Sequence, residues 1–68
     1  MKLSARNILK GTITEVRKGQ TTALVLLDIG GAIVTSSITN EAAYELKLAK
    51  GQSAYAVIKA SDVIIGVD

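Results

Sequence analysis

The segment Thr21-Thr22-Ala23-Leu24-Val25-Leu26-Leu27-Asp28-Ile29 constrains this chain more than any other. Its Leu, Val and Thr content reads as a β-strand over residues 21–29. Side chains alternate across a strand, so Ala23, Val25, Leu27 and Ile29 share one face and Leu24 and Leu26 take the other. A strand apolar on both faces has to be covered on both. A chain of 68 residues supplies one small core, and buries only about 60% of the surface its unfolded form exposes. Ordering such a chain costs on the order of 100 kcal/mol, which a lone core of this size barely offsets. The second cover is therefore expected from another chain, by self-association.

The flanking segments read as further short elements. Residues 8–17 mix β-branched and polar types and form a first strand, with Gly11 at a bend or bulge. Lys18-Gly19-Gln20 is the turn into the two-faced strand. Gly30-Gly31 signals a hairpin to a third strand over 32–38. Thr39 and Asn40 are candidate N-caps for a short helix, with Glu41 in its first turn. Ala42, Ala43 and Leu46 follow helical spacing, Lys47 and Lys50 sit at its C-terminal end, and Gly51 closes it. Residues 52–59 form a fourth strand, and Ala60-Ser61-Asp62 leads to a fifth over 63–67. The order β-β-β-α-β-β in a single domain, residues 1–68, predicts an all-β fold with one short helix, a five-stranded OB-fold barrel.

Missing residue types exclude most catalysis. The chain has no Cys, His, Pro, Trp or Phe. No disulfide forms, no thiolate or imidazole holds zinc, and no Cys or His serves as nucleophile or base. Glu41 and Glu45 lie one helical turn apart and read as a solvated helix face. Ser36, Ser37, Ser53 and Ser61 have no His base. Gly30-Gly31 is a hairpin, not a phosphate-cradling loop. The chain is expected not to be an enzyme and to carry no cofactor or directly ligated metal. No apolar run approaches the roughly 20 residues that span a bilayer. Met1–Arg6 lacks the apolar stretch of a signal peptide. A cytoplasmic location with no membrane partner is the resulting expectation.

Charge and aromatic content bear on partners. Net charge is only +2, and the excess sits in the first eleven residues, where Lys2, Arg6 and Lys10 face no acid. An OB-fold binding single-stranded nucleic acid is the alternative reading, but such sites stack bases on aromatic side chains in a basic groove. Tyr44 and Tyr55 are the only aromatics, one on the helix and one on the fourth strand, so no nucleic-acid partner is expected. A small dianion is a better match, because an acceptor-only ligand wants donors alone around it. Ser4-Ala5-Arg6-Asn7 offers a hydroxyl, a guanidinium, an amide and backbone N–H groups without a carboxylate. Lys59-Ala60-Ser61 adds an ammonium, a hydroxyl and further N–H groups, and Gln20-Thr21-Thr22-Ala23 adds more.

These pieces, in order, resemble a known family. Ser4-Ala5-Arg6-Asn7 is followed by Gly11, Lys18-Gly19, Thr22-Ala23, Ser37-Ile38-Thr39, Leu46-Lys47-Leu48-Ala49-Lys50-Gly51 and Val57-Ile58-Lys59-Ala60-Ser61-Asp62-Val63. The set is similar to the molbindins, small Mop-type proteins that bind molybdate and tungstate, and it runs from about Lys2 to Ile65. The resemblance implies an OB-fold subunit of a homohexamer, a trimer of dimers, with oxyanions held at subunit interfaces. It implies an oxyanion site made of Ser4, Ala5, Arg6 and Asn7; of Gln20, Thr21, Thr22 and Ala23; and of Lys59, Ala60 and Ser61. It also implies a role in storing or buffering molybdate or tungstate inside the cell, without catalysis.

Overall fold

Backbone pairing in the computed structural model, which describes residues 1–68, builds one antiparallel sheet of four strands. They are β1 (Asn7–Lys18), β2 (Thr22–Asp28), β3 (Ile33–Thr39) and β4 (Ser53–Ile58), in the spatial order β3-β2-β1-β4. A short helix α1 (Asn40–Glu45) follows β3, and a 3-10 turn (Ala60–Asp62) follows β4. The fold is mostly β with one short helix and OB-like element order.

The sheet curls around β1. Its first half pairs with β4, from Asn7↔Ile58 to Thr12↔Ser53, and its second half pairs with β2, from Thr12↔Asp28 to Lys18↔Ala23. The register slips between Ile13 and Glu15, so the bulge lies at Thr14, not at Gly11. Bulges bend a strand and raise its twist. Gly11 has a different task. A Cβ there would stand 2.3 Å from the Asp28 carbonyl oxygen and 3.0 Å from both its carbon and Leu27 Cγ. The missing side chain is what lets β2 approach β1 at the bend.

The two-faced strand lies at the centre. Ala23, Val25 and Leu27 are buried, and with Ile13 and Ala43 they are the only five buried residues. Leu24 and Leu26, on the other face, are half-buried. Ile29 lies just past β2 and packs against the core. The hairpin to β3 spans Ile29–Ala32, with Gly30 and Gly31 at φ +92° and +99°. Asp28 Oδ1 accepts a 2.8 Å hydrogen bond from the Gly30 N–H.

Helix α1 is shorter than the spacing suggests. Thr39 caps it, its Oγ1 accepting from the Ala42 N–H at 3.0 Å. Lys47 ends it by taking the left-handed conformation, φ 53°. The Leu48 N–H then donates to the Ala43 carbonyl at 3.1 Å and the Lys47 N–H to that of Tyr44 at 3.0 Å, a Schellman closure. Lys47 and Lys50 therefore lie beyond the helix and do not complement its dipole, and Gly51 belongs to the following turn. Lysine is a poor occupant of left-handed backbone. Lys47→Gly is expected to stabilise the fold by about 1 kcal/mol, measured as a higher midpoint in urea unfolding.

The expected fifth strand and closed barrel do not form within the chain. Residues 63–67 pair with no other segment, and Ile64 and Val67 are almost fully exposed. A strand exists only through its pairing, and the 3-10 turn after β4 sends this segment off its own sheet edge. What remains is a half-barrel with an open groove of about 610 Å³, lined mostly by apolar side chains such as Val34, Ile38, Leu48 and Tyr55.

Candidate functional site

Two of the donor segments are brought together by the β1–β4 ladder. Asn7 pairs with Ile58 at the start of β1, and its Nδ2 donates to the Ile58 carbonyl at 3.2 Å. This sets the Ser4–Arg6 arm beside the Lys59–Ser61 crossing. The crossing is shaped by two bonds, from the Asp62 N–H to the Lys59 carbonyl at 2.9 Å and from the Val63 N–H to the Ala60 carbonyl at 3.3 Å. The carbonyls of Lys59 and Ala60 are thus occupied, while the N–H groups of Lys59, Ala60 and Ser61 donate to nothing in the chain. The N–H groups of Ser4, Ala5 and Arg6 are equally free.

Both cations of this end are exposed and unpaired. The one ion pair in the chain joins Arg17 Nε to Glu15 Oε2 at 2.8 Å, far from the arm in sequence. That hydrogen bond, with the guanidinium charge, holds the Glu15 carboxyl below its ordinary range. Arg6 and Lys59 have no carboxylate within bonding distance. Their charge, with Lys2 and Lys10 nearby in sequence, is opposed locally by Asp62, the single acid of the crossing.

The third segment stands elsewhere. Lys18 pairs with Ala23 at the far end of β1 from the Asn7↔Ile58 pair. Gln20, Thr21, Thr22 and Ala23 therefore stand at the opposite end of β1 from the other two groups, and no backbone hydrogen bond joins them. Ala23 is buried, whereas Gln20, Thr21 and Thr22 are exposed at the turn. The Gly19 N–H closes that turn on the Thr22 carbonyl at 2.8 Å. The N–H groups of Gln20 and Thr21 remain free.

Asn40, which sequence reasoning placed only as a helix cap, also reaches this turn. Its backbone N–H donates to the Thr21 carbonyl and its Nδ2 to the Gly19 carbonyl, each at 2.9 Å. The contact joins residues 21 apart, so no local pattern announces it. No group of three or more acids that could hold a cation is present, and no helix is long and apolar enough to cross a membrane.

Residues 3–65 match the TOBE domain family. The chain is 49% identical over 69 residues to the probable molybdenum-pterin-binding protein of Haemophilus influenzae, covering 100% of both. Its structure is similar to that of MopII from Clostridium pasteurianum, with TM-score 0.90 and 42% identity over 97% of this chain and 100% of that one. It is also similar to the cytoplasmic molybdate-binding protein ModG with molybdate bound, with TM-score 0.94 and 51% identity. That match covers 100% of this chain and 49% of ModG.

Proposed function

The chain belongs to the TOBE-domain family, with Mop-type molybdenum-pterin-binding proteins among its relatives, and on that basis we propose that it binds molybdate or tungstate reversibly and without catalysis. Residues 1–68 act as one such domain. Ser4, Ala5, Arg6 and Asn7 hold the anion together with Lys59, Ala60 and Ser61, and Gln20, Thr21, Thr22 and Ala23 complete the site from another copy.

The observation that carries this reading is the donor-rich backbone of all three segments. Their free N–H groups find no acceptor in the chain, while most nearby carbonyls are engaged, those of Lys59 and Ala60 in the crossing and of Gly19, Thr21 and Thr22 at the turn. A tetrahedral oxyanion that is fully deprotonated near neutral pH offers acceptors only, so such a surround favours it over protonated phosphate. Sulfate carries the same charge on a smaller ion, so cavity size separates it.

The separation of the segments along β1 supports a site shared between copies. The exposed groove, the unpaired residues 63–67 and the half-covered face of β2 are the apolar surfaces left for self-association, in our reading a homohexamer built as a trimer of dimers. Anion held at such an interface stabilises the assembly by linkage, about 2.7 kcal/mol per site at a hundred times Kd. A cytoplasmic store or buffer of the oxyanion is the role that follows.

Equilibrium dialysis against molybdate, tungstate, sulfate and phosphate, with sedimentation of the same samples, checks this. Uptake of the first two in preference to the others, by an oligomer, is expected. Equal weak uptake of all four would remove the specific claim, and a stable folded monomer at micromolar protein would remove the shared site.

A further inference from the structure

We propose that Asn40 is a positioning residue for the oxyanion: it occupies two of the four carbonyls of the Gly19–Thr22 turn and so leaves that turn presenting mostly donors. The inference rests on the oxyanion reading above and extends it to a residue outside the three donor segments.

A tight turn ordinarily displays carbonyl oxygens as well as N–H groups, and each free carbonyl near an anion repels it. Here three of the turn's four carbonyls are taken up, and only that of Gln20 is left open. Asn40 Nδ2 occupies the Gly19 carbonyl, the Asn40 N–H occupies that of Thr21, and the Gly19 N–H occupies that of Thr22. Two of the three bonds come from Asn40. The N–H groups of Gln20 and Thr21 are left without acceptors, and an acceptor-only ligand can take both.

The helix does not need this carboxamide. Thr39 already caps α1 through its Oγ1. The carboxamide orientation is set by the turn, since a flipped amide would place Oδ1 against the Gly19 oxygen. The consequence is an unfavourable one for the fold alone: Asn40 Oδ1 is buried with no donor. A buried acceptor left unmade destabilises, so a side chain held this way serves the turn at the expense of stability.

The test is calorimetric titration of molybdate into the assembled wild-type protein, Asn40→Ala, Asn40→Asp and Glu41→Gln. Asn40→Ala is expected to weaken binding about tenfold, since it exposes the Gly19 carbonyl and loosens the turn. Asn40→Asp is expected to weaken it about a hundredfold, because a carboxylate cannot donate to that carbonyl and adds a like charge. An acid in the first helical turn favours the helix, so Asn40→Asp remains informative if Asn40→Ala fails to assemble. Glu41→Gln, one residue on, is expected to change affinity less than about twofold, as an exposed and screened charge does.

A purely structural role would lower the melting temperature of the anion-free variants and leave their affinities within twofold of wild type, which would overturn the proposal. So would a gain in Glu41→Gln as large as the loss in Asn40→Asp, which would mean a general charge effect. In wild-type protein the backbone amide resonances of Gln20 and Thr21 are expected to move on adding molybdate; no movement there overturns the proposal whatever the variants do. If wild type itself takes up no molybdate, the oxyanion reading falls and this inference with it. If wild type binds and both Asn40 variants match it, only the role of Asn40 falls.

Discussion

Replacing Arg6 and Lys59 together by alanine is expected to weaken molybdate binding by at least about a hundredfold. In the proposed site each supplies a charged hydrogen bond, worth about 1.5–3 kcal/mol. Losing one weakens binding by about 10- to 100-fold, and losing both by about 10²- to 10⁴-fold. The effect on stability is expected to be small. Both side chains are exposed and neither has a salt-bridge partner in the chain, and substitutions of that kind usually stay within about 0.5 kcal/mol. Titration calorimetry with molybdate reads the first quantity and thermal melting without anion reads the second. Wild-type affinity in the double variant would move the site away from the β1–β4 end. A collapsed melting temperature would mean that the two cations hold the assembly and not the ligand.

The largest effect on the fold is expected from Gly11→Ala. A Cβ at this position meets the backbone of Asp28, with the carbonyl oxygen only 2.3 Å away, and Leu27 Cγ behind it. Backbone atoms cannot rotate aside as a side-chain tip can, so β2 has to withdraw from β1 at the bend. Withdrawal breaks the ladder near Thr12↔Asp28 and disturbs Leu27, one of the few buried residues. The cost is expected at or above the upper end for overpacking, about 3 kcal/mol. The whole stability of a domain this size is about 3–10 kcal/mol. A fall in melting temperature of at least about 12 °C is the expected reading. A fall of only a few degrees would show that the two strands can separate locally without loss of the core.

Much of this architecture is legible in the chain itself because its signals are local. The Gly30-Gly31 hairpin, the Thr39 cap and the alternation of Ala23, Val25 and Leu27 each rest on neighbours within a few residues. The arm and the crossing are legible as donor-rich strings for the same reason. Gly11 is harder to read. A glycine in a strand signals a bulge or a close approach, and only the register distinguishes them, placing the bulge at Thr14 and the close approach at Gly11. Lys47 gives no warning of its left-handed backbone, since the Schellman closure depends on where Leu48 finds the core. Asn40 reads as a cap from its neighbours, and its bonds to Gly19 and Thr21 come from a turn some twenty residues away.

By itself the sequence determined the first four strands and the helix, their order and the supply of donors without Cys or His, because those follow from residue type and short-range spacing. It also determined that β2 is apolar on both faces. Only the tertiary structure decided that the sheet curls about β1, that residues 63–67 find no partner in their own chain, and that the donor segments divide between the two ends of β1. Pairing and curvature are properties of segments far apart in the chain, set by which backbones can approach closely, and no local pattern encodes that distance.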